Sequence, residues 1–407
     1  MIKKRVDVAI VGAGLIGSAL ALWLSKYTDL SITLIERNAA MSEPVEPNQR
    51  VVALGHLAVC FLRDINAFDL LKSKQSHPYR LMRVWDENSN GELEFDSNSL
   101  EQNQLGYMVD SLACNYVLQQ LLVKPTNSYA AKAKSVDCYF GATLTSLRRE
   151  SGRGYLSVED QNGDALEVSA QLIVAADGGR SWVRQQAAIF ANHYDFHQRG
   201  IVARIETEKS HQDCAWQRFL STGPIAILPL EDNQSSIVWS ADNRVADELL
   251  SLTPAEFEAR LEYALQSRLG AVSLLSSRTA FPLQSQSADV YYKRNIALVG
   301  DAAHSIHPLA GQGANLGFKD ALVLGRLLTK LSADEIARKQ LGEPKFLAKY
   351  QRKRRVDNQQ ADILMKALQG GYQFDVPIWM AARGVGMNVL NRTKILRELL
   401  AAQAMGL

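Results

Sequence analysis

The feature that most narrows what this chain can fold into is Gly12-Ala13-Gly14-Leu15-Ile16-Gly17, which follows the β-branched run Val6 to Val11 and opens a helix-like stretch from Leu15 to Tyr27. Ser31 to Ile35 is a second apolar run, and it ends in Glu36. Strand, glycine turn, helix and strand in that order make a βαβ unit, whose two strands lie parallel in one sheet. In such a unit the glycines let a pyrophosphate approach the unpaired amides of the helix N-terminus, and a carboxylate about 20 residues on accepts from ribose hydroxyls. Gly12, Gly14, Gly17 and Glu36 are therefore expected to bind a dinucleotide. This motif alone does not separate FAD from NAD.

Lys3, Lys4 and Arg5 ahead of the uncharged run Val8 to Ser25 imitate a signal peptide or a short membrane span. Asp7 at the junction argues against both readings, as do the three glycines, each costing up to ~1 kcal/mol of helix propensity relative to Ala. With 407 residues, 47% hydrophobic and 22% charged, the chain is ordinary globular material with room for two or three domains. Lys and Arg number 45 against 43 Asp and Glu, so a net charge of +2 leaves no footprint for nucleic acid and points to a small-molecule partner. Cys60, Cys114, Cys138 and Cys214 form no CxxC pair and have no His at ligand spacing, so no disulfide frame and no metal site is expected, and a reducing cytoplasm fits.

Further along, Gln49 to Leu71 reads as helix, Tyr79 to Phe95 as strands about the turn at Asn88 to Gly91, and Asp110 to Val123 as helix. Short strands fill 136 to 176, and a β-rich block with strands near 200–206, 214–219, 224–229, 235–240 and 278–283 follows, interrupted by a helix from Pro254 to Leu269. Asn295 to Val299 is another buried-strand run, and 333 to 407 is mostly helical, broken around Gly370, Gly371 and Pro377.

Two of these strands end in motifs. Gly300-Asp301-Ala302-Ala303-His304 follows Val299 and leads through His307-Pro308-Leu309-Ala310-Gly311-Gln312-Gly313-Ala314-Asn315 into a helix. A carboxylate at a strand end suits a polyol, and glycines before a helix expose amide donors, although Asp301 as a plain helix cap has the same spacing. Asp177-Gly178-Gly179-Arg180-Ser181 follows Leu172 to Ala176, where Arg180 or Arg184 would reach a phosphate or lie solvated.

Together these motifs resemble the class A flavoprotein monooxygenases, the FAD-dependent aromatic hydroxylases, over nearly the whole chain. The resemblance implies an α/β fold like para-hydroxybenzoate hydroxylase: a Rossmann-like FAD-binding domain (1–75, 100–185 and 284–335), an inserted β-rich substrate domain (76–99 and 186–283) and a helical C-terminal segment (336–407). It also implies that Glu36 binds the adenosine ribose with Arg37 beside it, that Arg50 approaches the pyrophosphate, and that Asp177 and Gly178 serve FAD and the pyridine nucleotide. Gly300 and Asp301 would hold the ribityl chain, and Pro308, Gly311, Gln312, Gly313, Ala314 and Asn315 would lie at the flavin ring. The run His304 to Gly313, with Trp216-Gln217-Arg218-Phe219, Leu228-Pro229-Leu230 and Arg354-Arg355 before Asp357-Asn358, is similar to the ubiquinone-biosynthesis hydroxylases. His77-Pro78-Tyr79-Arg80 and Ser267-Arg268-Leu269-Gly270 resemble the branch that hydroxylates demethoxyubiquinol. Asp110 to Asn115 departs from the family pattern, and no flavin contact is carried over to it.

By that resemblance NAD(P)H reduces the FAD, oxygen yields a flavin C4a-hydroperoxide, and one oxygen passes to the ring of a polyprenylated quinol. His307 is the candidate proton acceptor and Pro308 the candidate stiffener at the flavin. Phe219, Leu228 and Pro229 are candidate substrate contacts, while Trp239 reads as core. The apolar stretch Tyr372 to Ala382, bordered by Arg383, Arg392 and Lys394, is a candidate contact with a polyprenyl tail or the inner face of the membrane, or simply packs. Other ubiquinone-synthesis proteins and a second copy of the chain are further candidate partners. Rival functions are another ring position of the pathway, a small soluble phenol, or a scaffold without catalysis.

Overall fold

The computed structural model describes residues 2–45, 48–124, 133–306, 312–331 and 340–373, with Met387, Asn391 and Thr393 placed singly. Among the described residues the strands form three sheets. The first begins with the glycine-fingerprint unit. Ile2–Val11 and Ile32–Glu36 pair in parallel, and Ala165–Ala175, Ile296–Leu298 and Asp137–Phe140 extend the parallel order on both sides. Val8 to Val11 and Leu172 to Ala175 are buried on both faces, as continuous apolar runs in a covered parallel sheet should be. The helix Leu15–Tyr27 packs on one face against the helix Gln312–Thr329, and the two glycine motifs open at the carboxyl ends of parallel strands separated only by Ala165–Ala175.

The second sheet is antiparallel except where Leu81–Asp86 runs parallel to Cys214–Leu220. Its centre is Ala191–Thr207, Gln234–Asp242, Gly223–Pro229 and Cys214–Leu220. Ile225, Ile227, Ile237, Trp239, Ile201 and Ala203 point to one face, where they meet Ala246, Leu249, Phe257 and Leu261 of the helices Asn243–Ser251 and Pro254–Ala264. Period-two alternation puts Gln217, Ala226, Leu228, Val238 and Ser240 on the opposite face. Thr279–Ala288 crosses the expected boundary at 283, and its partner His304–Ser305 carries the chain from the Gly300 turn onto this sheet's edge. The first sheet's motif is thereby fastened to the second.

Two local expectations differ from the structure. The run from Gln49, read as helix, begins with the strand Val51–Gly55, and its α-helix spans only His56–Asp64, followed by a 3-10 turn at Phe68–Leu70. Val51 and Val52 are β-branched, and pairing with Gly106–Asp110 in the third sheet overrides the helical spacing. The C-terminal helix Pro344–Gln373 continues through Gly370 and Gly371, where a break was expected. No helix among the described residues is long and apolar enough to cross a membrane. His307, Pro308, Gly311 and the stretch from Phe374 to Ala382 lie outside the described residues, as do Arg383, Arg392 and Lys394.

Candidate active site

At the fingerprint turn Gly12 adopts φ +102°, and a Cβ there would stand 2.4 Å from the Ala176 carbonyl oxygen, so only glycine joins strand to helix at this point. The helix Leu15–Tyr27 has no side-chain cap at Gly14, and a Cβ on Gly14 would meet nothing within 4 Å. Free amides therefore face open space. Glu36 braces the turn: its Oε2 accepts from the Ala13 N–H at 2.8 Å, and its Oε1 accepts from the Asn38 backbone and side chain. Gln119 holds the other side, donating from Nε2 to the Ala13 carbonyl at 2.8 Å while Oε1 accepts from the Met41 N–H. Arg37 is exposed next to Glu36, and Arg50 is exposed on the wall of the adjoining cavity.

The other two motifs are clamped together by Arg184. Its buried guanidinium donates to the carbonyls of Ala302 and Gly179, both at 2.9 Å, and to Gln286 Oε1. It is thus committed to carbonyl oxygens and not to a phosphate, while Arg180 is exposed. Gln286 in turn donates to the Asp301 carbonyl at 2.7 Å. Asp177 Oδ2 accepts from the Val183 N–H, its Oδ1 is buried without a partner, and burial pushes its pKa up.

Beneath the Gly300 turn lies a fully buried ionic cluster. Asp320 accepts from the Gly300 N–H at 2.9 Å, from Arg354 Nε at 2.7 Å and from His304 Nε2. Arg354 also reaches Asp357 and Asn358, and Tyr291 stacks on His304 at 5.8 Å. Burial works to raise the Asp320 pKa, but His304 and the Arg354 guanidinium outweigh it and hold the carboxyl below the usual range. His304 is therefore an anchor for the turn. Asp301 is the contrast: its carboxylate has no hydrogen-bond partner among the described residues and lines the cavity, and desolvation pushes its pKa up against the opposing pull of His304 and Arg50.

The motifs converge on a cavity of about 640 Å³ between the sheets. Gly14, Arg50, Gly178, Asp301, Gly313 and Ala314 line one side. Asn315 lies just behind, tying its helix to the strand Val51–Gly55 through the Gly55 N–H and the Ala53 carbonyl, both at 2.8 Å. Ser111, Leu112 and Asn115 also reach this cavity, although the sequence reading carried no contact over to that segment. On the far side stand Leu228, Val238, Pro224 and Phe281, with Gln217, Ser240 and Tyr79 among them. Burial pushes the Tyr79 hydroxyl up to about 12. Phe219 is buried next to Ile306, a cavity residue, whereas Pro229 shares the parity of Ile225 and Ile227 and points away. Trp239 lies in the core against Phe257.

This architecture fits FAD. Asp301 is an orphaned acceptor where a polyol would lie, and side chains are missing beside Gly14, Gly178 and Gly313, where a Cβ would meet nothing within 4 Å. A family model described as FAD binding domain matches residues 5–361. The chain belongs to this FAD-binding family. It is 32% identical to the 3-demethoxyubiquinol 3-hydroxylase of Escherichia coli (strain K12) over 409 residues, covering 100% of each chain. It is 34% identical to a ubiquinone hydroxylase of Rhodospirillum rubrum, covering 99% of this chain and 90% of that one. The p-nitrophenol 4-monooxygenase of Pseudomonas putida DLL-E4 shares the fold with a TM-score of 0.76 at 17% identity, over 100% of this chain and 99% of that one. The chain is thus an FAD-dependent monooxygenase with the para-hydroxybenzoate-hydroxylase-like fold.

Gln119 and Asp320 escaped the sequence reading as site residues, and Arg184, read there as a phosphate contact or a solvated side chain, is instead the clamp between two motifs. Only Asp320 left a signal, a lone carboxylate in a helix among Phe318, Ala321, Leu322 and Leu324. A charge in that setting needs a partner.

Proposed function

We propose that this chain hydroxylates the ring of a polyprenylated benzoquinol in ubiquinone biosynthesis, with demethoxyubiquinol the favoured substrate. The observation that carries this reading is the single cavity whose one wall is the FAD motifs and whose other wall is an apolar sheet face with a few unpaired polar groups. The two ubiquinone-pathway relatives, matched over nearly their full length, support the substrate class. Gly12, Gly14, Gly17, Glu36, Arg37 and Arg50 take the adenosine and pyrophosphate end, with Asp177 and Gly178 beside them. Asp301 takes the ribityl hydroxyls, and Gly313 and Ala314 border the ring.

When bound, FAD supplies the oxygen-transfer chemistry after reduction by NAD(P)H. The protein's task is placement and exclusion of water. Leu228, Val238, Pro224, Phe281 and Ile306 make the substrate space apolar, which keeps water from the reacting centre and strengthens the few hydrogen bonds inside it. Arg50 lies on the cavity wall within electrostatic reach of Asp301, placed to offset phosphate charge. The FAD-binding portion comprises 1–75, 100–185 and 284–335 in this reading, and the substrate portion 76–99 and 186–283.

The test is an absorption spectrum of the purified protein, then NAD(P)H consumption and mass spectrometry with a short-tailed demethoxyubiquinol. Bound FAD and a product heavier by one oxygen support the proposal. The Rhodospirillum rubrum relative is named a ubiquinone hydroxylase with no ring position stated, so insertion at another ring carbon is the second reading, which the same product analysis distinguishes. Flavin without oxygen insertion into any pathway quinol sinks both.

A further inference from the structure

The cavity wall opposite the FAD motifs carries two polar side chains that the protein leaves unused. Gln217 is 6% exposed and Ser240 3% exposed, yet neither the amide nor the hydroxyl has a hydrogen-bond partner among the described residues, and both residues line the cavity. Elsewhere in this site a buried amide is spent on backbone, as Gln119 and Gln286 are. Neither side chain is among those whose polar atoms are sealed from solvent without a partner, so both open onto the cavity and keep their hydrogen bonds for what fills it.

Strand register fixes the spacing of the pair. Gln217 stands opposite Ala226, Ala226 opposite Val238, and Ser240 lies two residues on from Val238 in the same strand. The two are thus two strands apart and two residues along, about 12 Å between Cα atoms. Between them lie Ala226 and Pro224, a low floor on which a flat ring can rest. A benzoquinol with a hydrogen bond of ~2.8 Å at each of its para oxygens has about the same length.

We propose that Gln217 and Ser240 are the ring anchors of the substrate: the Gln217 amide and the Ser240 hydroxyl hydrogen-bond the two para oxygens of a quinol lying across Ala226, and so select the ring carbon presented to the flavin. This rests on the quinol reading above and adds to it the groups that orient the ring. A phenol with a single oxygen uses only one anchor and is free to turn.

The experiment uses FAD-loaded protein and an oxidised short-tailed ubiquinone, unreactive without NAD(P)H, with binding followed by the perturbation of flavin absorption. Gln217→Leu is expected to weaken binding about tenfold or more and Ser240→Ala about three- to tenfold. Gln217→Asn, one methylene shorter, is expected to fall between Gln217→Leu and the parent. FAD content stays unchanged, and the thermal midpoint of Gln217→Leu stays level or rises, because the amide has no protein hydrogen bond to lose. With NAD(P)H and the quinol, the fraction of reductant that ends in hydroxylated product drops, while NAD(P)H oxidation persists. Parent-like quinone affinity in both variants overturns the anchors and leaves the quinol reading standing, as does a fall in thermal midpoint that accounts for the lost binding. Failure of the unsubstituted protein to bind the quinone overturns the quinol reading itself, and the anchors with it.

Discussion

The two walls of the cavity treat their polar groups in opposite ways. On the FAD side Glu36, Gln119, Arg184, Asn315 and Asp320 are each bonded to backbone, so the turns that border the cofactor are held in place before it arrives. Asp301 is the exception, and it faces the space where a polyol fits. On the substrate side Gln217 and Ser240 are unpaired, and most of the wall around them and Tyr79 is apolar. One wall is a preorganised cradle for a fixed ligand, and the other keeps its hydrogen bonds in reserve for a ligand that must be oriented. If so, substitutions on the first wall should cost stability and FAD together, and substitutions on the second should change the substrate and spare both.

The largest effect is expected beneath the Gly300 turn. Asp320→Asn leaves the fully buried Arg354 with only the partly exposed Asp357 as counter-charge and should destabilise the protein by about 3 kcal/mol, read by denaturant unfolding, with FAD content falling in parallel. Near-parent stability would show that the cluster is not what holds the turn. Since Asp320 titrates below the usual carboxylate range in the fold, its contribution is fully present above the unfolded value and is lost as pH falls through the lower folded value. Acid unfolding of the parent should therefore be steeper than that of Asp320→Asn.

Asp301 should behave in the opposite sense. Its pKa is raised, so without FAD its contribution is fully present below the ordinary carboxylate range and is lost as pH rises through the raised value. Asp301→Asn should make the FAD-free protein more stable at neutral pH and weaken FAD binding about tenfold or more, measured by titration of the stripped protein. FAD affinity of the parent should drop as pH falls through the same raised value. An Asp301→Asn protein that is less stable without FAD would mean that the carboxylate has a protein partner after all.

What the sequence made legible follows the same division. The fingerprint, the Gly300-Asp301 turn and the Asp177 turn are local: each lies within a strand end and the helix start next to it, so spacing along the chain reports spacing in space. The braces are not local. Gln119 is 106 residues from Ala13, and Arg184 is 118 from Ala302, and no pattern in either neighbourhood betrays the pairing. The substrate wall was legible as β-rich but not by face, because a one-residue change of register exchanges cavity and core. Leu228 and Pro229 are neighbours in sequence, yet one lines the cavity and the other points away from it. Val51 to Gly55 needed its partner strand before its conformation was decided.

A middle-sized effect tests one of those distant braces. Gln119→Leu leaves the Ala13 carbonyl and the Met41 N–H without their partner, which should cost about 1 to 3 kcal/mol in unfolding free energy and lower FAD affinity several-fold. Loss of stability with FAD affinity intact would make Gln119 a brace of the fold only.

The smallest expected effect on stability belongs to Leu228→Ala, and it sharpens the comparison most. A buried leucine truncated to alanine in a closed core costs about 2 to 5 kcal/mol, largely because a new void is left. Leu228 is half-buried and borders a cavity that is already open, so the removed methyls enlarge an existing space and the penalty should stay below about 1 kcal/mol. FAD content should not change. The effect should appear as a raised KM for a short-tailed quinol and a lower share of NAD(P)H spent on hydroxylated product, since water then reaches the reacting centre more easily. A core-sized loss of stability would place Leu228 with Ile225 and Ile227 in function, whatever its position on the sheet, and the division between a bonded wall and a reserved one would not hold at that residue.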